Sequence, residues 1–471
     1  MRQRIALILA AALALGGAAL IPGAHLFLTG QEEAVTVEEE ILYGDQAAAQ
    51  GLQVTLGVES GVGGTDLLWD TVFTPGETAA ASTDFTALPW GQHQEMTEEE
   101  ELLVRFASPS LVYAGPTDDV NFWQPQARNG RLYLPAQDVA DRTGPGEERR
   151  EILDLADYYD VYPVHLSAFF NHFYNSNYTG MEQLTEFFRI PVPEGTMMEV
   201  TVSRNEEGLL EDASCRGETG LPKIEVPLFT DGYAYLFFDP AGGDKAVDVS
   251  QIAGGYGLFR LDYHFSYDPA PWMTLDGVET VLPVEGIVRG VTIRDGELLV
   301  FSEEEGVLWM SVLDAERGEV KQRLELLPVT GETPFHEAVS LDRGVLIWLV
   351  GGQAAVAEET AGGWRVALTG DLSDAALVPY FSDGAHDDDR WYSSAAAFDG
   401  ERLAVLYTLP SRETTSLPDV GLTVLDHTGT PVFAARYRRS GHFDQSSRGL
   451  LNYSPGRYHW TEDPSATLSF S

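Results

Sequence analysis

The chain reads as all-β: a β-propeller of seven or eight four-stranded blades, with a small helical insertion and an N-terminal transmembrane helix. Three observations predict this. Between about residues 225 and 440, short apolar runs alternate with Asp-Gly or Asp-x-x-x-Gly, the signature of antiparallel strands joined by hairpins. The signals recur at a spacing near 50 residues, about four strands per unit, which is what propeller blades produce. Residues 5–30 contain no Asp, Glu, Lys or Arg.

That apolar segment follows Arg2 and Arg4 and precedes Glu32, Glu33 and Glu38 to Glu40. Positive before and negative after places a short N-terminus in the cytoplasm and the bulk of the chain outside. As a helix, Ile5 to Leu28 would run about 36 Å, enough to cross a hydrocarbon core of about 30 Å. Two readings compete: a retained single-pass anchor, or a signal peptide cleaved after Ala19 or Ala24, which would leave a secreted protein. Both export the chain.

Residues 31–50 are acidic and alanine-rich and read as a stalk. The propeller domain then spans 51–440. Gln53 to Val58 and Asp66 to Phe73 form a strand pair across a Gly-rich turn. Leu102 to Phe106 with Leu111 to Tyr113, and Arg131 to Leu134, continue the strand rhythm, and Thr97 to Glu101 is a solvated loop. If all are blades, the ring is single; a separate β-sandwich ahead of a smaller propeller is the other arrangement. Residues 147–189 break the rhythm. Glu148 to Ala156 and Met181 to Phe188 have helical spacing, and between them Phe169 to Tyr178 is rich in aromatics and Asn. Those rings form either the insertion's own core or a binding platform.

The clearest blade runs Val291 to Phe301, Gly306 to Asp314, then Glu319 to Leu327. Asp-Gly or Asp-Arg-Gly opens a strand at Asp231-Gly232, Asp295-Gly296, Asp342 to Gly344 and Asp399-Gly400, and Gly254 to Gly257 is a turn. A Leu-Asp pair closes one at Leu261-Asp262, Leu313-Asp314 and Leu425-Asp426, 52 and 112 residues apart. Residues 441–471 form a tail whose Ala466 to Phe470 is a last strand that would close the ring.

Ser311 to Val320 and Leu422 to Val432 resemble the LDxxTGxV hairpin of quinoprotein-like (PQQ-like repeat) β-propellers, here in a degenerate form covering about half the chain. The resemblance implies a propeller used as a docking platform. A minority of that family bind a quinone and oxidise alcohols, but this chain departs from their pattern. Lys321 to Arg323 and Phe433 to Ala435 stand where the family places a docking tryptophan, and no vicinal cysteines exist to line a quinone site.

The 471 residues carry 29 Lys+Arg against 73 Asp+Glu, a formal net charge of −44. Such a chain repels nucleic acid and anionic lipid surfaces, which excludes both as expected partners. With 44% hydrophobic residues it has material for a packed core. Its one cysteine, Cys215, excludes an internal disulfide and reads as an incidental thiol. The sequence has no His-Glu-x-x-His, Gly-x-Ser-x-Gly, phosphate loop or metal-spaced cysteine pair, so no catalytic or cofactor-binding residue is assigned. The best metal candidate is Ser382 to Asp389, where Asp383, His386, Asp387, Asp388 and Asp389 would offer hard oxygen ligands to Ca²⁺ or simply form a hydrated turn. The expected function is a membrane-tethered extracytoplasmic scaffold that binds a protein or cell-envelope component. The alternatives are an extracellular carbohydrate hydrolase or lyase with carboxylates in a propeller pocket, and a sensor acting through lateral contact in the membrane.

Overall fold

The computed structural model describes residues 35–89, 101–371, 393–408, 419–440 and 466–470, apart from breaks of one to five residues. The chain divides into two compact units, Met1–Thr97 with Glu332–Ser471, and Glu98–Gly331. The expected anchor, the Asp383 to Asp389 cluster and the loop before Glu101 lie outside the described residues. Among the described residues no helix is long and apolar enough to cross a membrane.

The first unit opens with β1 (Thr36–Gly44), β2 (Leu52–Val62), β3 (Thr65–Phe73) and β4 (Ser82–Pro89). The second holds β5 (Glu101–Phe106), β6 (Ser110–Thr117), α1 (Asp119–Arg128), α2 (Leu134–Asp141), β7 (Glu148–Asp154) and β8 (Val164–Phe170). It continues with β9 (Phe173–Asn175), β10 (Tyr178–Thr179), α3 (Met181–Phe188), β11 (Met197–Arg204), β12 (Leu210–Arg216), β13 (Glu225–Phe229) and β14 (Tyr233–Phe237). Then come β15 (Gly257–Ser266), β16 (Trp272–Pro283), β17 (Ile287–Arg294), β18 (Glu297–Glu304), β19 (Val307–Asp314) and β20 (Val320–Pro328). The chain returns to the first unit with β21 (Phe335–Leu341), β22 (Gly344–Leu349), β23 (Gln353–Thr360) and β24 (Gly363–Asp371). It ends there with β25 (Ser393–Phe398), β26 (Leu403–Thr408), β27 (Val420–Leu425), β28 (Pro431–Ser440) and β29 (Ala466–Phe470).

Among the described residues, three sheets make the first unit: β21-β22-β23-β24, β1-β28-β27-β26-β25 and β29-β2-β3-β4. The last is assembled from both ends of the chain. Its first strand is the expected C-terminal one, with Leu52 opposite Phe470 and Leu56 opposite Ala466. The middle sheet is buried on both faces, which is why β26 and β27 are nearly continuous apolar runs. Leu403 and Val405 pack with Leu346 and Val356 of one neighbour, while Ala404 and Leu406 pack with Val54 and Leu56 of the other. The residues expected to form a stalk are, from Thr36 to Gly44, strand β1 on the outer edge of that sheet. Glu38 and Glu40 stand opposite Arg438 and Arg436, and the buried Tyr437 hydroxyl donates to Glu39 at 2.8 Å. Arg436 reaches Glu40 at 3.9 Å, a cross-strand pair of opposite charge, while it also pairs with Asp419.

Among the described residues, the second unit holds four sheets: β17-β18-β19-β20, β10-β16-β15-β14-β13, β6-β12-β11-β7 and β5-β8-β9. Several expectations change here. Leu102 to Phe106 and Leu111 to Tyr113 are strands, but they pair with β8 and β12 rather than with each other. Glu148–Asp154 is not a helix but edge strand β7, paired with Met197 to Ser203. Its run of charges suits an exposed sheet edge. Leu134 starts helix α2 rather than ending a strand. Pro135 fits a first helical turn, and the Tyr159 hydroxyl accepts the Tyr133 and Leu134 N–H groups at 3.0 Å. Met181–Phe188 is helical as expected and buries Leu184, Phe187 and Phe188. Within the expected aromatic stretch, Phe169 and Phe170 end β8, Phe173–Asn175 are β9 and Tyr178 begins β10; the side chains there, and the remaining positions, lie outside the described residues.

The two similar hairpins share their chemistry, an aspartate cap and a left-handed glycine. In β19-β20 the Asp314 carboxylate accepts the Glu316 and Arg317 N–H groups, and Gly318 has φ +71. In β27-β28 Asp426 accepts the Thr428 and Thr430 N–H groups, and Gly429 has φ +78. Both ladders shift register just before the aspartate, at Val312/Leu313 and Val424/Leu425. In both, an Asx turn is followed by a left-handed glycine, but the first is Asp-x-x-x-Gly (Asp314 to Gly318) and the second is one residue tighter, Asp-x-x-Gly (Asp426 to Gly429). Leu261-Asp262 is different: it lies inside β15, where Asp262 is ion-paired to Arg260 at 2.9 Å. It therefore does not mark a blade, and its spacing from Asp314 is coincidence.

Folding lowers both hairpin carboxyls from their ordinary value of 3.8, Asp314 through the Arg317 N–H and Lys321 ammonium, Asp426 through the Thr428 hydroxyl. A carboxyl so lowered adds stability above its unfolded pKa, and that support disappears as pH falls through the folded value. We expect Asp314→Asn to lose less stability than wild type between about pH 4 and pH 2, read as urea midpoints across that range.

Candidate functional site

In the first unit, β25 lies between β21 and β29. At one end of these strands is a cavity of about 230 Å³. The β21-β22 turn contributes Asp342 and Arg343, β23 contributes Val356 and Glu358, the end of β25 contributes Phe398 and Asp399, and β29 contributes Leu468 and Phe470. Strand alternation explains the mixed lining. Leu341, Val356 and Leu468 are buried, while the neighbouring residues at the strand ends bring charge to the mouth.

Arg402 holds this end of the unit together. It donates to the Ala48 and Gln50 carbonyl oxygens at 2.9 and 3.0 Å and to Asp399 at 2.9 Å. Its guanidinium lies 4.6 Å from the centre of the Phe470 ring, a cation–π distance. One side chain thus ties the N-terminal segment, the β25-β26 turn and the C-terminal strand. Burial pushes the Asp399 carboxyl up, but the N–H groups of Glu401 and Arg402 and the Arg402 guanidinium outweigh it and hold the pKa below 3.8. On the opposite wall Glu358, with 14% of its side chain exposed, pairs with Arg365, whose side chain is 66% exposed. Arg365 donates from both Nε and Nη2 to one oxygen, Oε2.

The arrangement offers carboxylates, a guanidinium and apolar wall, which suits holding a ligand. Among the described residues no group of three or more His, Cys, Asp or Glu side chains is placed to hold a metal ion. Cys215 is buried in β12, and desolvation pushes its thiol up to about 12. A thiol of that kind is a poor nucleophile. We expect a thiol reagent at about pH 8 to leave the folded chain unlabelled and to label one site in urea. The turn signals at Asp342 and Asp399 were visible in the sequence, but as turns only. Phe470 was visible as the end of the expected last strand only, and Glu358 carried no local signal.

No protein-family model matches the chain, and no curated protein does. Among solved structures, the N-terminal domain of Nup159 is similar at 11% identity over 52% of this chain and 57% of its own, with a TM-score of 0.23. Sqt1 of Saccharomyces cerevisiae is similar at 11% over 85% and 87%, TM-score 0.23. A protein from Lactobacillus plantarum is similar at 10% over 82% and 99%, TM-score 0.24. The chain spans 57% of the Nup159 domain and 64% of Kluyveromyces lactis Hsv2. Likenesses at these TM-scores carry no argument, so the fold rests on the chain's own sheets.

Proposed function

We propose that the protein is a membrane-tethered extracytoplasmic binding module whose sheets are propeller blades, and that the cavity between β21, β25 and β29 is where it engages a protein partner. The observation that carries this reading is the cavity itself, mixed in character and braced by Arg402 across three separated parts of the chain. Rigid elements that bring distant residues to one concave spot are the usual setting of a ligand site. The consecutive four-stranded antiparallel sheets, and the pairing of β29 with the distant β2, support blades, because a propeller is built from such sheets. Export rests on the charge asymmetry around residues 5–30.

The test is capture of the full chain, with its N-terminal segment, from its own membranes. A single stoichiometric protein, lost when Arg402→Ala loosens the site, supports a binding module. Release of sugar fragments from purified cell-wall material would instead support the carbohydrate-hydrolase reading. An alkaline phosphatase fused after Ser471 should be active outside the cytoplasm; activity only in lysed cells would contradict the orientation.

A further inference from the structure

We propose that the cavity receives one basic side chain, arginine or lysine, from an extended segment of the partner protein, and that Arg365 is the built-in counter-ion this side chain displaces. The proposal rests on the binding-module reading above and adds the partner's chemistry. At about 230 Å³ the cavity is smaller than the roughly 300–1,000 Å³ typical of drug-sized ligands, which fits one side chain better than a cofactor. Its wall suits such a side chain lengthwise: Leu341, Val356, Ala397 and Leu468 line the stem and carboxylates line the head.

The carboxylates differ in availability. Asp399 is committed to its own turn and to Arg402. Among the described residues, the side-chain contacts to Glu358 are those of Arg365, both at Oε2. With the Arg365 side chain 66% exposed, that pair is screened and weak. An incoming cation that also buries its stem against apolar wall has an advantage that Arg365 lacks. The net charge of −44 raises the local concentration of basic segments around the whole molecule. Arg343 on the rim supplies a donor for the segment's backbone carbonyls.

The experiment is calorimetric titration of the full chain with a Gly/Ser peptide carrying one central arginine, and with the same peptide carrying citrulline. We expect citrulline to bind at least about tenfold more weakly, the loss of one charged hydrogen-bonded contact. Glu358→Gln should weaken the arginine peptide about tenfold, whereas Arg365→Gln should tighten it about threefold. Glu211→Gln, an exposed charge on β12 of the second unit, should change nothing and so separates the site from diffuse acidity. The opposite signs at Glu358 and Arg365 are what a purely structural pair would not give. If Glu358→Gln fails to fold, Arg365→Gln alone decides by tightening or not. Equal binding of the two peptides, an unchanged Arg365→Gln, or a Glu211→Gln loss equal to that of Glu358→Gln overturns the proposal. Should these fail while membrane capture still yields one partner, the basic side chain is wrong and the binding module stands; failure of capture sinks the module itself.

Discussion

Gly429→Ala should destabilise the first unit by about 2–5 kcal/mol, one of the two largest effects of any single change we expect. Two costs combine. The residue has φ +78, where a side chain costs about 1–2 kcal/mol. Its Cβ would also lie 1.8 Å from the Thr369 carbonyl oxygen on β24, a backbone atom that cannot swing aside. Relieving that contact means separating two packed sheets, an overpacking cost of about 1–3 kcal/mol. Gly400→Ala is the control: φ is +99 and a Cβ there would meet nothing within 4 Å, so it should show the backbone cost alone, about 1–2 kcal/mol. Urea unfolding followed by hydrogen exchange at β24 and β27 measures both. Equal losses for the two variants would show that the sheets yield freely at Thr369.

Arg204→Ala should cost the second unit about 3 kcal/mol. Only 10% of this side chain is exposed. It donates to both carboxylate oxygens of Asp119 at 2.9 and 2.8 Å, to the Ala140 carbonyl at 3.2 and 3.1 Å, and to Gly208 at 2.9 Å. It therefore fastens α1, α2 and the β11-β12 turn to one point of the sheet. Removing it strands a carboxylate and two carbonyls, and breaking a buried pair by deleting one partner costs about 3–5 kcal/mol. Asp119 is 40% exposed, which keeps the loss at the low end. Arg204→Lys should recover less than half, because an ammonium cannot present the guanidinium fork. Full recovery by lysine would reduce the role to charge.

What the sequence made legible was local. The Asp314 and Asp426 hairpins were readable because one carboxylate and one left-handed glycine close behind it, at Gly318 and Gly429, build the turn without help from elsewhere. The final strand at Ala466 was readable from its alternation. Pairing was not: β7 meets Met197 to Ser203 across more than 40 residues, and nothing in Glu148 to Asp154 distinguishes a charged edge strand from a charged helix. Leu261-Asp262 shares the hairpin's letters without its glycine, so the same pair fell inside a strand. The acidic run at Glu38 to Glu40 became legible only beside Arg436 and Arg438, nearly 400 residues away. The cavity is the extreme case. Asp342, Glu358, Asp399 and Phe470 come from four strands or turns in three sheets, and no spacing in the chain foretells their meeting.

The central claim, that this cavity is where a partner protein sits, is tested most directly by a photo-crosslinking amino acid placed at Ser469. That residue lines the mouth and is exposed, so the substitution leaves the core intact. Irradiation of intact cells should join the chain to one protein, and the same probe at Glu211 should not. A probe at Ser469 that captures nothing, or that captures the same mixture as the probe at Glu211, would contradict the account.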